Sequence, residues 1–440
     1  MTSQQPYPRI YLPPEDDARL PGLARLALLA LAAGLLTGLV GGAFRWLLGQ
    51  AEGLRTDILE WTRDAPASRW LIPVLLAALA VGIARLIVRY VPESSGSGIQ
   101  RVEADAREEI RGGPLRIVPA KFVGGLLAIG AGLALGREGP TVQMGAVIGA
   151  RVGRLAKVSD HDERTLGAAL AGAGLAVAFS APVGGAFFTF EEVARAFRTR
   201  LVIATLAASA AAMSVARLIV GSNPVFDVPD IAIPETWKML LFAVFGALVG
   251  VLGVLYNRLV MALLDLFERI PVLPPEIKAA IVGGLVGLIG VLDPSLVGGG
   301  DELNQAILVG QFSIGALVLI LVVRWFLGPL SYSLGTAGGL FAPLLVVGAS
   351  MGALSAQTLN LVFPSWELSP LSWAIVGMST FFAAVVRAPV TGVVLVAEMT
   401  AQTSLLIPMI LAAAVAVVTT TTMRAQPVYD SLRERLVRRP

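Results

Sequence analysis

The residues best placed to do chemistry here are carboxylates, hydroxyls and backbone amides grouped at glycine- and proline-rich turns. Gly136-Arg137-Glu138-Gly139-Pro140 and Gly338-Gly339-Leu340-Phe341-Ala342-Pro343 each read as a turn leading into a helix. Proline is favoured at the first helical position, where its missing N–H is one of the orphans anyway, so the spacing predicts helices starting at Pro140 and Pro343. Gly139, and Gly339 before Leu340 and Phe341, let the backbone come close to an ion. A third such start, Ser94-Ser95-Gly96-Ser97-Gly98-Ile99, adds hydroxyl donors. Free N–H groups and positive dipole ends suit an anion. Glu138 conflicts with that arrangement, because its carboxylate would occupy the position an anion wants. Ionised, it competes; protonated, it can swing away, which makes it a gate that couples anion occupancy to a proton.

Little other chemistry is open to the chain. Among its 440 residues there is no cysteine and a single histidine, His161. Thiol nucleophiles, iron–sulfur clusters, Cys/His zinc sites and histidine-centred triads are therefore excluded, and neither a cofactor nor a metal is expected. His161, inside Ser159-Asp160-His161-Asp162-Glu163-Arg164, reads as a solvated loop residue without a role. With 34 Lys+Arg against 31 Asp+Glu spread along the chain, no basic stripe for nucleic acid forms.

The elements that must position these groups are apolar helices. Charged residues are only 15% of the chain and hydrophobic ones 55%, which excludes most soluble folds. Leu26–Phe44 is an uncharged run of 19 residues, long enough to span a bilayer. Further apolar stretches follow at about 71–84, 122–135, 201–216, 239–256, 279–292, 314–323, 340–363, 371–386 and 405–422, so the chain is polytopic and all-α. No secretory signal precedes the first of them. Several are short or cut by the 47 glycines and 27 prolines. Broken helices at membrane depth survive only where protein or a polar cavity satisfies the backbone, as at transporter ion sites built from two related halves.

Such halves are visible. Residues 136–150 and 339–353 share six identities at an offset of 203. Ala181-Pro182-Val183-Gly184-Gly185 and Glu191 repeat as Ala388-Pro389-Val390-Thr391-Gly392 and Glu398 at an offset of 207. The two copies run about 20–220 and 235–425. Glu191 has its counterpart in Glu398 and belongs to the shared architecture, whereas Glu192 falls opposite Met399 and Glu138 opposite Phe341. The two unmatched carboxylates are the functional candidates, with Glu192 able to relay a proton to Glu138.

These motifs, together with Gln426-Pro427-Val428-Tyr429, resemble the CLC family of chloride channels and chloride/proton antiporters over nearly the whole chain. The resemblance implies two inverted-topology repeats of tilted, partly broken helices and a homodimer with one anion path per subunit. It implies that the hydroxyls of Ser97 and Tyr429 and the amides of Leu340 and Phe341 hold the anion. It makes Glu138 the external gating glutamate and Glu192 the internal proton-transfer glutamate. The family's channels typically lack an acid at the internal position, so Glu192 favours coupled chloride/proton exchange over a passive anion channel. Ser97 favours chloride over nitrate. One departure stands out: the family usually has proline after Gly-Ser-Gly-Ile, and here the residue is Gln100.

The expected organisation is a cytoplasmic N-terminal segment 1–20, a transmembrane domain 21–425 and a short cytoplasmic tail 426–440, with no cytosolic regulatory domain. Arg433, Arg435, Arg438 and Arg439, with Arg19 and Arg25, place both termini in the cytoplasm by the positive-inside rule, in a bacterial inner membrane. Buried-charge cost further suggests an ion pair between Lys121 and Glu103.

Overall fold

The computed structural model describes residues 20–63 and 66–438; residues 1–19, with Arg19, and Arg439 lie outside the described residues. These contain seventeen α-helices and no strand beyond two isolated bridges. The first half holds α1 (Leu20–Arg63), α2 (Leu71–Tyr90), α3 (Ile99–Ala106), α4 (Ile117–Gly130), α5 (Glu138–Leu155), α6 (Asp160–Phe179), α7 (Pro182–Phe188) and α8 (Thr199–Val220). The second half holds α9 (Lys238–Arg269), α10 (Pro275–Leu292), α11 (Asp301–Leu308), α12 (Ile314–Ser333), α13 (Phe341–Val362), α14 (Pro370–Val386), α15 (Pro389–Thr400) and α16 (Leu406–Thr422). A last helix, α17 (Val428–Val437), follows. Seven of them are long and apolar enough to cross a membrane.

The two halves are built alike. In each, a long helix packs against the eighth (α1 on α8, α9 on α16), and the fifth packs against the sixth (α5 on α6, α13 on α14). The repeated glycines explain the second pairing. A methyl added at Gly145 or Gly149 would overlap the carbonyl oxygens of Leu170 or Leu166 on α6. One added at Gly348 or Gly352 would overlap those of Gly377 or Trp373 on α14. In lipid, where apolar surface gives helices little reason to associate, such close approach supplies the packing. Helices α6 and α14 are enclosed almost along their length, whereas Leu28, Leu75, Leu79 and Leu240 on α1, α2 and α9 are turned outward as a lipid-facing surface requires.

The halves are inverted, and Glu191 and Glu398 show how. Glu191 accepts hydrogen bonds from Val390 N–H (3.1 Å) and Thr391 N–H (2.7 Å) at the start of α15. Glu398, near the end of α15, accepts from Val183 N–H (3.2 Å) and Gly184 N–H (2.7 Å) at the start of α7. Each equivalent helix carries, at its C-terminal end, the carboxylate that caps the other's N-terminus, so α7 and α15 run antiparallel. Orphan N–H groups at both starts are satisfied by charged acceptors. Gly136 and Gly339, also equivalent, exchange both of their backbone hydrogen bonds at 2.8 Å across an antiparallel bridge.

One sequence expectation is corrected. Helices α5 and α13 begin at Glu138 and Phe341 rather than at Pro140 and Pro343. Proline is tolerated through the first turn and not only at its first residue, so both sit two residues further in. Within the short tail expected after 425, α17 docks on α3 and brings Tyr429 fully out of solvent. Replacing Glu398 with alanine should remove two charge-assisted caps and lower stability by about 1–2 kcal/mol; a thermal unfolding midpoint unchanged from that of the parent protein would refute the reciprocal-cap account.

Candidate functional site

Three loops meet at the centre of the fold. Gly96 pairs with Ala337 in a parallel bridge, and Gly338 N–H donates to Gly96 O (3.2 Å). Together with the Gly136–Gly339 bridge this ties the starts of α3, α5 and α13 into one cluster. The loops are in direct contact because they are glycine: a methyl on Gly139 would stand 2.8 Å from the Cα and carbonyl oxygen of Ser97. Gly98 has φ +81° and packs against Gln143, which leaves no room for a side chain. All three predicted helix starts are thus brought together.

The Glu138 side chain lies at the start of α13. Its carboxylate is fully buried, and Oε1 accepts from Phe341 N–H at 2.7 Å, the first amide of α13. Side-chain positions opened by Gly136 and Gly339 are where this carboxylate lies. Oε2 has no partner. Arg137 is not a counter-ion for Glu138: it bonds Asp301 at 2.7 Å and donates to Ala178 O at 2.8 Å. The carboxylate therefore depends on the α13 helix end for its stabilisation.

Tyr429 is fully buried on α17, its hydroxyl lacks a partner, and its ring lies 5.6 Å from that of Phe341. The Phe341 ring in turn packs edge-on against Phe382 and Phe188. Ser97 differs from expectation in one respect. Its oxygen accepts from Ile99 N–H (3.2 Å), but its proton is directed to Gln100 Oε1 (2.7 Å) rather than left open.

Glu192 lies on a single π-helical turn, Thr189–Val193, that continues α7. Such turns add a residue per helical turn and occur at functional sites; this one sends the adjacent Glu191 and Glu192 in different directions. Glu192 is 1% exposed, with Arg195 at 3.5 Å. Asp430 on α17 binds Arg195 (2.9 Å), Arg107 (3.3 Å) and Arg433 (3.3 Å). Glu192 is therefore enclosed beneath this charge cluster and is not a solvated member of it.

Sequence reasoning missed one group, Tyr332, and mispaired two, Lys121 and Glu103. Glu103, 0% exposed on α3, faces Glu192 and lies 3.9 Å from Arg107. Tyr332 on α12 is buried, with an unpartnered hydroxyl turned toward Ser97 and Gln100. Glu103 was read as the partner of Lys121; nothing in the sequence marked Tyr332. The expected Lys121–Glu103 pair does not form. Lys121 Nζ donates instead to Gly96 O at 2.5 Å and holds the Ser97 loop, because Glu103 is directed toward Glu192 and Arg107.

This architecture, with helix starts converging on a carboxylate inside a polytopic inverted repeat, defines an ion-transport protein. The chain belongs to the CLC family: the sequence model described as Voltage gated chloride channel matches residues 79–421. It is 37% identical over 419 residues to the H(+)/Cl(-) exchange transporter ClcA of Vibrio cholerae, covering 93% of this chain and 89% of the relative. To the ClcA of Citrobacter koseri it is 36% identical over 424 residues, covering 93% and 89%. Among solved structures it is similar to a slow cyanobacterial Cl-/H+ antiporter, with a TM-score of 0.89, 31% identity and coverage of 94% of this chain and 98% of that one. A CLC-type fluoride/proton antiporter shares the fold, with a TM-score of 0.77 at 23% identity over 94% and 98% of the two chains.

The glycine contact makes a direct test. Gly139→Ala should force the Ser97 loop away from α5 and weaken chloride binding by about tenfold. Gly49→Ala on α1, where an added methyl meets nothing within 4 Å, should leave it unchanged. Calorimetric titration of both purified variants checks this, and equal affinities would dissociate loop contact from anion binding.

Proposed function

We propose that this protein exchanges chloride for protons across a bacterial inner membrane as a homodimer with cytoplasmic termini, through one anion path per subunit. The carrying observation is the hydrogen bond from Phe341 N–H to the Glu138 carboxylate. That amide heads a 22-residue helix and is the group an anion would use. Ionised Glu138 and chloride compete for one donor. Protonation removes the charge that holds the side chain there, so chloride replaces it, and departure of the anion favours return of an ionised carboxylate. Each exchange of occupants at Phe341 N–H accompanies a change of protonation at Glu138.

In this reading chloride is held by the Phe341 and Leu340 amides and by the hydroxyls of Tyr429 and Ser97, with Gly139 keeping the loops close enough to share it. The unpartnered hydroxyl of Tyr429 supports that role, since a buried donor without an acceptor is costly. Glu192 carries protons between the interior surface and Glu138. Its burial beneath Arg195 and its facing carboxyl, Glu103, support this. Two carboxyl groups held together out of water are disfavoured when both are ionised, so the pair retains a proton to pass on. A passive channel would have no use for such a pair, and the relatives named above carry exchanger names.

The test is flux in liposomes with an imposed chloride gradient, no pH gradient and the voltage clamped by a potassium ionophore. Chloride-driven proton movement is the expected outcome; chloride efflux without it would mean an uncoupled pathway. Glu138→Gln should abolish proton coupling and the pH dependence of flux while chloride still passes. Glu192→Gln should stop proton transport and spare chloride passage, and proton movement equal to that of the parent protein would remove Glu192 from the pathway.

A further inference from the structure

Gln100 stands where the family usually carries proline, and it changes what Ser97 can do. A serine hydroxyl has one proton. Here that proton goes to Gln100 Oε1 at 2.7 Å, so it is withheld from an anion at Phe341 N–H. Proline has no acceptor there and could not withhold it.

Gln100 does not act alone. Tyr332 turns its hydroxyl toward Ser97 and Gln100, and that hydroxyl is buried without a settled partner. The Tyr332 oxygen and Gln100 Nε2 both lie over Gly96, 3.2 and 3.4 Å from the position a Cβ would take. Only glycine at 96, with φ +62°, admits them together. The two side chains also line a cleft of about 950 Å³ whose walls include Arg85, Arg89 and Arg101. Ser97 itself is 0% exposed. Gln100 and Tyr332 thus form a polar layer between the cleft and the buried hydroxyl.

An amide has a donor end and an acceptor end, and rotating it by half a turn reverses its effect on Ser97. We propose that Gln100 and Tyr332 form a latch on Ser97: with Oε1 toward Ser97, Gln100 takes the serine proton away from the anion. With Nε2 toward Ser97, Gln100 donates to the serine oxygen, Tyr332 donates to Gln100 Oε1, and the serine proton is released to the anion. The released arrangement is a chain of donors all pointing at the anion, in which each bond polarises the next. The latched arrangement weakens the hold on chloride and helps it leave toward the cleft. Gln100 is a positioning residue that sets affinity through Ser97.

The latch rests on chloride being the ligand, and titration of chloride into the purified full chain in an isethionate buffer separates the two questions. Gln100→Leu keeps the side chain's size and removes the competing acceptor, so chloride should bind about three- to tenfold tighter. Tyr332→Phe removes the donor that stabilises the released arrangement, so binding should weaken by about the same factor. In a Ser97→Ala background both shifts should shrink to less than about twofold, which a packing role would not require. Should Gln100→Leu fail to give a monodisperse protein, Gln100→Pro, acceptable in a first helical turn, makes the same prediction. Shifts of the same sign, no shift, or shifts undiminished in the Ser97→Ala background would overturn the latch. Absence of chloride binding to the parent protein would overturn the chloride reading and the latch with it.

Discussion

A helix that begins inside a membrane protein leaves backbone N–H groups with no partner in its own first turn, and hydrocarbon offers none. The start of α13 is such a place, and the bond between Phe341 N–H and the Glu138 carboxylate is how this chain satisfies it. The surroundings follow from that need. Three loops must approach closely enough to enclose one small acceptor, so they are glycine where they touch. The Gly136–Gly339 bridge and the Lys121 bond to Gly96 O keep them from separating. Arg137 is committed to Asp301 and Ala178 O and does not pin the acceptor.

The same bond explains why two similar halves are not identical. Glu138 and Phe341 occupy equivalent positions in the repeats and face each other across the antiparallel Gly136–Gly339 bridge. A two-fold relation places their side chains toward one shared space. Two glutamates there would set two carboxylates against one another, and two phenylalanines would leave the amide without an acceptor. Glutamate on one side and phenylalanine on the other fills the space with one charge and gives the Phe341 ring a role as wall against Tyr429, Phe382 and Phe188. Symmetry holds where it is mechanical, in the Glu191 and Glu398 caps and the glycine contacts of α5 and α13, and breaks at Glu138 and Phe341.

That division is also why part of the molecule was legible in the sequence. Glycine and proline turns, apolar runs and internal repetition are local or periodic signals, so the helix starts to within two residues, the polytopic fold and the unmatched glutamates could be read directly. Subtracting one repeat from the other isolated Glu138 and Glu192. Inversion could not be read, because it resides in which helix end each of Glu191 and Glu398 reaches. Tyr332 was invisible for a related reason: it lies far from Ser97 in the chain, and only folding brings its hydroxyl to Gln100. Lys121 was noticed for its burial but mispaired, since a carbonyl oxygen leaves no mark in a sequence.

Glu192 shows how a helix defect solves a geometric problem. Glu191 must point at the start of α15 to cap it, and an adjacent residue on a regular helix lies about 100° around the axis. The π-helical turn alters that interval, so one carboxylate serves as a cap while its neighbour enters the space occupied by Glu103. The second carboxyl group there would be a liability in a purely structural core, because replacing it by an apolar residue would relieve both desolvation and repulsion. Docking of α17 closes this space: the same short helix that brings Asp430 to Arg195 and Arg107 brings Tyr429 to Phe341. A single element thus fixes the charge balance beside Glu192 and Glu103 and the place of the Tyr429 hydroxyl beside Phe341, so movement of α17 would alter both regions together.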